Sequence, residues 1–387
     1  MGLQGGFLGL VAQPFQAVVA GVMGVSATQA GTPVPPGRQG LLRAIAGHLE
    51  GNIHLKKDGV VVAGRNIRWD AVISLMQEKG VRSIWAPEVV RLADGQMWRV
   101  ELMSLAGGKL KVRSMAFGER ELGLGAVAAL DFLPNVPAPG PRDKPNTLYR
   151  ERGEPIPGQL LWIDRHRLAI DSPLGALTLS REGTRRYLFK PPRSAPASGD
   201  EVSLIDGSVL RGRAVPGDGS LTLHHDLLGE VVLPERLVRS VLRHPRGVVH
   251  LAETRPSRVE AEPLIAEPVL PTVASYPEAG PSVGWPGRLR AIRSLRLEPK
   301  ARMEFALSRG GSLRATVVPV ERAAGKVAIT IISEGKSLLE KTISPGDEPL
   351  EVQAEVAAGT LAIAADFVLP MRFPCGVELL DPHVVER

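Results

Sequence analysis

Two adjacent histidines beside an aspartate, His224-His225-Asp226, are the nearest this sequence comes to a metal-ligand set. The residues around them argue against that chemistry. In "DGSLTLHHDLLGEVVLP", residues 218 to 234, apolar side chains recur with the period of a β-strand. On such a strand Leu221, Leu223 and His225 share one face and Thr222 and His224 the other, so the imidazoles point apart and cannot hold one ion. His166, within "DRHR", reads as a solvent-facing turn residue. Cys375 is the single cysteine, which excludes an intrachain disulfide and a thiolate cluster and leaves a buried, inert thiol in either redox compartment. Leu122-Gly123-Leu124-Gly125 lacks the third glycine of a phosphate loop and has no βαβ unit around it. No G-x-S-x-G, H-E-x-x-H or kinase-like set occurs, and no spacing forces two carboxylates together. These residues point to a protein that is not an enzyme, with no metal and no cofactor.

The elements that carry them are β. With 42 Gly and 33 Pro in 387 residues, turns are many and long helices few. Hydrophobic residues at 44% suffice for several buried cores. The net charge of +6 would suit nucleic acid, but 36 Arg against 11 Lys, scattered among abundant Ala, Gly and Pro, is the mark of a GC-rich genome. Nucleic acid is therefore not the expected partner.

A unit recurs. Residues 89 to 134 and 201 to 245 match with a one-residue gap: Asp94-Gly95 falls on Asp206-Gly207, Leu110 and Val112 on Leu221 and Leu223, and Gly118-Glu119 on Gly229-Glu230. Weaker copies lie at 156 to 189, where "SPLGALTL" answers "DLLGEVVL", and at 51 to 75. Each reads as short strands broken by Asp-Gly and Gly turns, with one tight helical turn before a closing strand, as in "LPERLVRSV". Five short strands in such a length suit a small SH3-like or Sm-like barrel. The organisation expected is a signal-like or disordered leader with its linker at 1–37, a partial repeat at 38–88, and small barrels at 89–134, 146–190 and 200–245. A proline-rich linker at 246–282 and a β-sandwich at 283–387 follow. The leader is apolar but has no basic residue before Arg38 and is interrupted at Gln13, Pro14 and Gln16, so a signal peptide and a disordered leader stay open and a transmembrane anchor is not expected.

From Val283 the strand signals lengthen: "ARMEFALS", "SLRATVVPVE", "KVAITIIS", "TLAIAADF". About a hundred residues of this pattern describe a β-sandwich or jelly roll. On "RAIRSLRLEPKARMEFALS", "LRATVVPVERAAGKVAITIISEGKSLLEKTI" and the closing "ELLDPHVV", residues 283 to 387 resemble the NPCBM family of carbohydrate-binding modules, found beside glycoside hydrolases and in planctomycete-type multidomain proteins. The resemblance implies a galactose-binding-like sandwich, a glycan ligand, a bacterial source and a place outside the cytoplasm, periplasmic or secreted, with the cytoplasm as alternative. The chain departs from that family where Ser294 and Arg296 replace glycines, Glu298 stands near its histidine, and Leu379 or Leu380 replaces a tryptophan.

Sugars stack on exposed aromatic faces between polar side chains. The domain's aromatics are Trp285, Phe305, Phe367 and Phe373, and the three phenylalanines, beside apolar strands, read as core. The ligand residues expected are Trp285, Arg293, Glu298, Asp366 and Asp381. The whole then reads as a non-catalytic carbohydrate-binding protein with the repeats as scaffold; the alternatives are a structural or protein-interaction scaffold with a degenerate sandwich, and nucleic-acid binding through Sm-like barrels.

Overall fold

The computed structural model of the chain describes residues 38–44, 47–77, 88–134, 136–137, 139–140, 142–190, 199–262, 272–275, 292–320 and 323–387. The fold is all-β: no α-helix occurs among the described residues, and the three helical turns are short 3-10 segments, Trp69–Ala71, Leu124–Ala126 and Glu235–Leu237. Each stands immediately before the closing strand of a repeat.

Four repeats precede the sandwich, each a meander whose first and last strands pair antiparallel. Arg38–Ala44 pairs Val72–Gln77, Glu88–Leu92 pairs Val127–Asp131, Thr147–Arg150 pairs Thr184–Leu188, and Asp200–Leu204 pairs Val238–Leu242. The first repeat carries all five strands, not a part of them. Turn chemistry sets the registers: Asp94 and Asp206 each accept the amide two residues on (Gln96 and Ser208), and Gly95 and Gly207 both sit at φ +91.

Sequence order is not spatial order. The closing strand of the first repeat pairs that of the fourth, Leu75 opposite Val241, and the closing strands of the second and third pair likewise, Leu130 opposite Tyr187. The second and fourth meet where Met97 pairs with Val209. There Arg211 N donates to Gln96 Oε1 (2.8 Å) and Arg99 N to Ser208 Oγ (2.9 Å). Positions 96 and 208, and 99 and 211, are equivalent in the repeat, so the contact is reciprocal, as across a two-fold axis. Inward-facing leucines and valines of all four repeats merge into one core around Trp98, which is fully buried with Phe117 and His225 edge-on at 5.4 Å.

The sandwich stacks a six-stranded antiparallel sheet (Thr272–Ser275, Arg293–Leu297, Val377–Glu386, Gly311–Pro319 and Leu350–Val356, with Val248–His250 also on Val377–Glu386) on a five-stranded one. The latter runs Arg258–Ala261, Ala301–Leu307, Gly359–Phe367, Val327–Ser333, Lys336–Ile343. Strict burial alternation in Val327–Ser333 and Ala301–Leu307 seats Ile329, Ile331, Met303 and Phe305 in a second core.

This corrects the reading of 246–282 as a spacer. Three of the strands above come from that segment, so the sandwich begins near Val248 and not at Val283. Its strands are three or four residues long, and the prolines between them mask so short a period.

Candidate functional site

The five residues expected to bind ligand divide between two places. Trp285 lies outside the described residues. Arg293 and Asp381 come together at a buried junction with the repeats, while Glu298 and Asp366 lie at the loop end of the sandwich.

At the junction Asp381, held at φ +42 and only 3% exposed, accepts the amides of Ile292 and Arg293 on Oδ1 (2.8 Å each) and Arg43 of the first repeat on Oδ2. Arg293 reaches Glu201 of the fourth repeat (Nη2 to Oε2, 2.5 Å), which also accepts Arg211 at 2.8 Å. Glu253 stands 3.6 Å from Arg293 Nε and is bonded to His244 Nε2. Burial alone would raise the Glu253 carboxyl, but the His244 hydrogen bond and charge, with Arg293 and His250 beside it, hold it at about 2. Met76, Leu242 and Ile292 seal the contact with apolar surface. Both carboxylate oxygens of Asp381 are thus engaged, Oδ1 within the sandwich and Oδ2 with the first repeat.

The loop end is built differently. The turn Glu298–Lys300 follows Arg293–Leu297, Lys300 at φ +65, and residues 323–326 and 368–376 lead into Val327–Ser333 and Val377–Glu386. They brace one another: Lys300 N donates to Ala365 O (2.8 Å), Val320 N to Gly376 O (3.1 Å) and Ala324 N to Pro374 O (2.7 Å). Gly325 is required, since a Cβ there would stand 2.0 Å from Arg372 O. Buried Cys375 lies beneath, its thiol pushed up by burial and by the Glu298 charge, so it stays protonated and inert.

On this frame three apolar side chains face solvent: Leu369 at 79% exposure, Met371 at 48% and Phe373 at 54%. The Phe373 ring rests edge-on against half-buried Phe367, centroids 5.9 Å apart. Two ion pairs link strand ends to the turn at this end of the sandwich, Lys300 Nζ to Asp366 Oδ2 at 3.2 Å and Arg296 Nη2 to Glu298 Oε1 at 2.6 Å. Phe305 is core as expected, but Phe373 is not. Pro370 and Pro374 on either side of it break the strand rhythm, and that signal could have marked it as a loop residue.

The histidines fall where strand geometry put them. His225 is buried and His224 half-buried on the opposite face; His166 is exposed. Among the described residues no group of three or more His, Cys, Asp or Glu is placed to hold a metal ion, and no helix is long and apolar enough to cross a membrane.

No family model and no curated protein matches the chain. Solved structures do. The chain is similar to a CBM51 of a family 95 glycoside hydrolase from Clostridium perfringens in complex with methyl-galactose: 11% identity, TM-score 0.30, covering 35% of this chain and 99% of that one. It is similar to the tandem CBM51 modules of a family 98 glycoside hydrolase from Streptococcus pneumoniae, at 9% identity and TM-score 0.31, covering 77% of this chain and 88% of that one. A third, from Clostridium perfringens ZmpB, holds CBM51-2 in complex with GlcNAc and INT domains, at 6% identity and TM-score 0.31, covering 48% of this chain and 38% of that one. Similarity at this level assigns no ligand.

Proposed function

We propose that the chain is a non-catalytic binding protein that takes a glycan at the loop end of its sandwich, outside the cytoplasm. The observation that carries this is Phe373: an aromatic side chain 54% exposed, propped by Phe367, with two ion pairs at the same end of the sandwich. A sugar lays its C–H face on such a ring while carboxylates and cations bracket its hydroxyls. Glu298 and Asp366 are the acceptors in this reading, Arg296 and Lys300 the donors. Arg293 and Asp381 serve the junction instead, which makes the repeats a scaffold rigidly joined to the ligand module.

A protein-interaction reading stands second, favoured by Leu369 and Met371, which add apolar surface that a sugar does not need. The test is a glycan panel headed by galactose and GlcNAc, run on the full chain. Saturable binding is expected, with affinity falling about tenfold in Phe373→Ala, close to 1.4 kcal/mol, while Tm stays put. Absence of binding across the panel overturns the glycan reading and turns the search to protein partners.

A further inference from the structure

We infer that the chain pairs with a second copy of itself through the outer strand of the third repeat, Gly175–Ser180, in an antiparallel two-fold contact. Among the described residues this strand bonds only to Arg167–Ser172, so its other edge is open. Open edges are ordinarily blunted by charge or proline. The equivalent strand of the second repeat, Gly118–Gly123, carries Glu119, Arg120 and Glu121; that of the fourth, Gly229–Pro234, carries Glu230 and ends on Pro234; that of the first, Arg65–Arg68, begins and ends on arginine. Gly175–Ser180, reading GALTLS, has no charge and no proline.

Backbone parity decides which groups are free. Ser172 and Gly175 flank a two-residue turn, and Arg181 N donates to His166 O across the same ladder. Residues 175, 177, 179 and 181 therefore bond inward, and Ala176 and Thr178 present their amides and carbonyls outward, as does the Ser180 amide, while the Ser180 carbonyl accepts Thr184 Oγ1 (3.1 Å).

Side-chain pattern then selects a register. Leu179 packs against the core and Leu177 shares its face, and both stay half-exposed at an edge that no described strand covers. A two-fold axis through Thr178 sets Leu177 of one copy opposite Leu179 of the other and Ala176 opposite Ser180. The two Thr178 residues then exchange both hydrogen bonds, each Ser180 amide donates to the Ala176 carbonyl opposite, and four leucines close over the edge. The same operation on Gly118–Gly123, where Glu121 stands in the place of Thr178, would oppose Glu121 to Glu121, which like charges forbid. The repeats already join one another through four antiparallel strand pairs among the described residues, and the second copy extends that mode.

The experiment is sedimentation of the full chain between about 1 and 100 µM. A monomer–dimer equilibrium is expected, its dissociation constant rising at least tenfold in Thr178→Lys, which sets two like charges across the axis at a position exposed in the monomer. Thr178→Cys adds a test of register: a hydrogen-bonded antiparallel pair holds its Cα atoms about 5.5 Å apart, within disulfide reach, so mild oxidation should give a covalent dimer. Buried Cys375 supplies little background. A wild type that is monomeric throughout this range, or a dimer that Thr178→Lys leaves intact and Thr178→Cys fails to cross-link, overturns the inference.

Discussion

His225 shows how a residue that looks chemical can be structural. Its Nδ1 accepts the amides of Leu227 (3.0 Å) and Leu228 (3.2 Å), so the proton sits on Nε2, which donates to Gln96 Oε1 at 2.8 Å in the second repeat. Burial, only partly countered by Asp94 and Asp226, lowers its pKa and keeps it neutral, and a proton on Nδ1 would evict both amides. Replacing it with alanine strips two amides of their acceptor and opens a cavity against Trp98. We expect His225→Ala to lose about 2–4 kcal/mol in urea denaturation, while zinc or EDTA leaves Tm unchanged. A zinc-dependent rise in Tm would instead restore the metal reading. The position was legible because period-two alternation places every strand side chain on one face or the other. Phe373 was not: apolar neighbours suggest burial, and only the flanking prolines say that no strand is there to bury it.

At the level of elements, period and turn chemistry reveal what folds locally, and partner choice escapes them. Asp-Gly turns and alternating leucines mark the repeats, yet nothing in the sequence puts the closing strand of the first repeat beside that of the fourth, because the same in-and-out pattern suits any antiparallel neighbour. Nor does it show that "GVVHLAE" supplies a sheet strand. Gly247 O accepts Glu386 N and Leu251 N donates to Pro382 O, so by alternation Val249 bonds Val384. Val249→Pro, harmless in a spacer, should remove that donor and cost about 1–3 kcal/mol by calorimetry or urea titration. A neutral outcome would return the segment to a linker.

For the whole molecule, the junction makes repeats and sandwich answer together to pH. His383 is buried there, its Nδ1 donating to Asp381 O at 2.8 Å, with His250 at 6.2 Å, Arg43 on the same Asp381, and Nε2 without a partner among the described residues. Burial, with the His250 and Arg43 charges, holds His383 at about 4; burial and the His244 charge lower His250 as well. An unfolded histidine titrates near 6.5, so between about pH 6.5 and 4 the unfolded chain binds protons that the folded chain refuses, and stability falls as pH falls. For His383 this amounts to about 3 kcal/mol across the window. His244 works the other way: burial would lower it, but Glu253 raises it, so its contribution is present below pH 6.5 and fades as pH rises through its folded value. With His225 also lowered by burial, three histidines against one leave a net loss on acidification. Glu253, held at about 2, adds a further loss only below its unfolded value of 4.5. Urea denaturation at pH 7, 6, 5 and 4 should therefore show stability declining from pH 6.5, and His383→Asn, which keeps a donor for Asp381 O and cannot titrate, should flatten that decline. An unchanged slope in the variant would place the acid sensitivity elsewhere than in the junction.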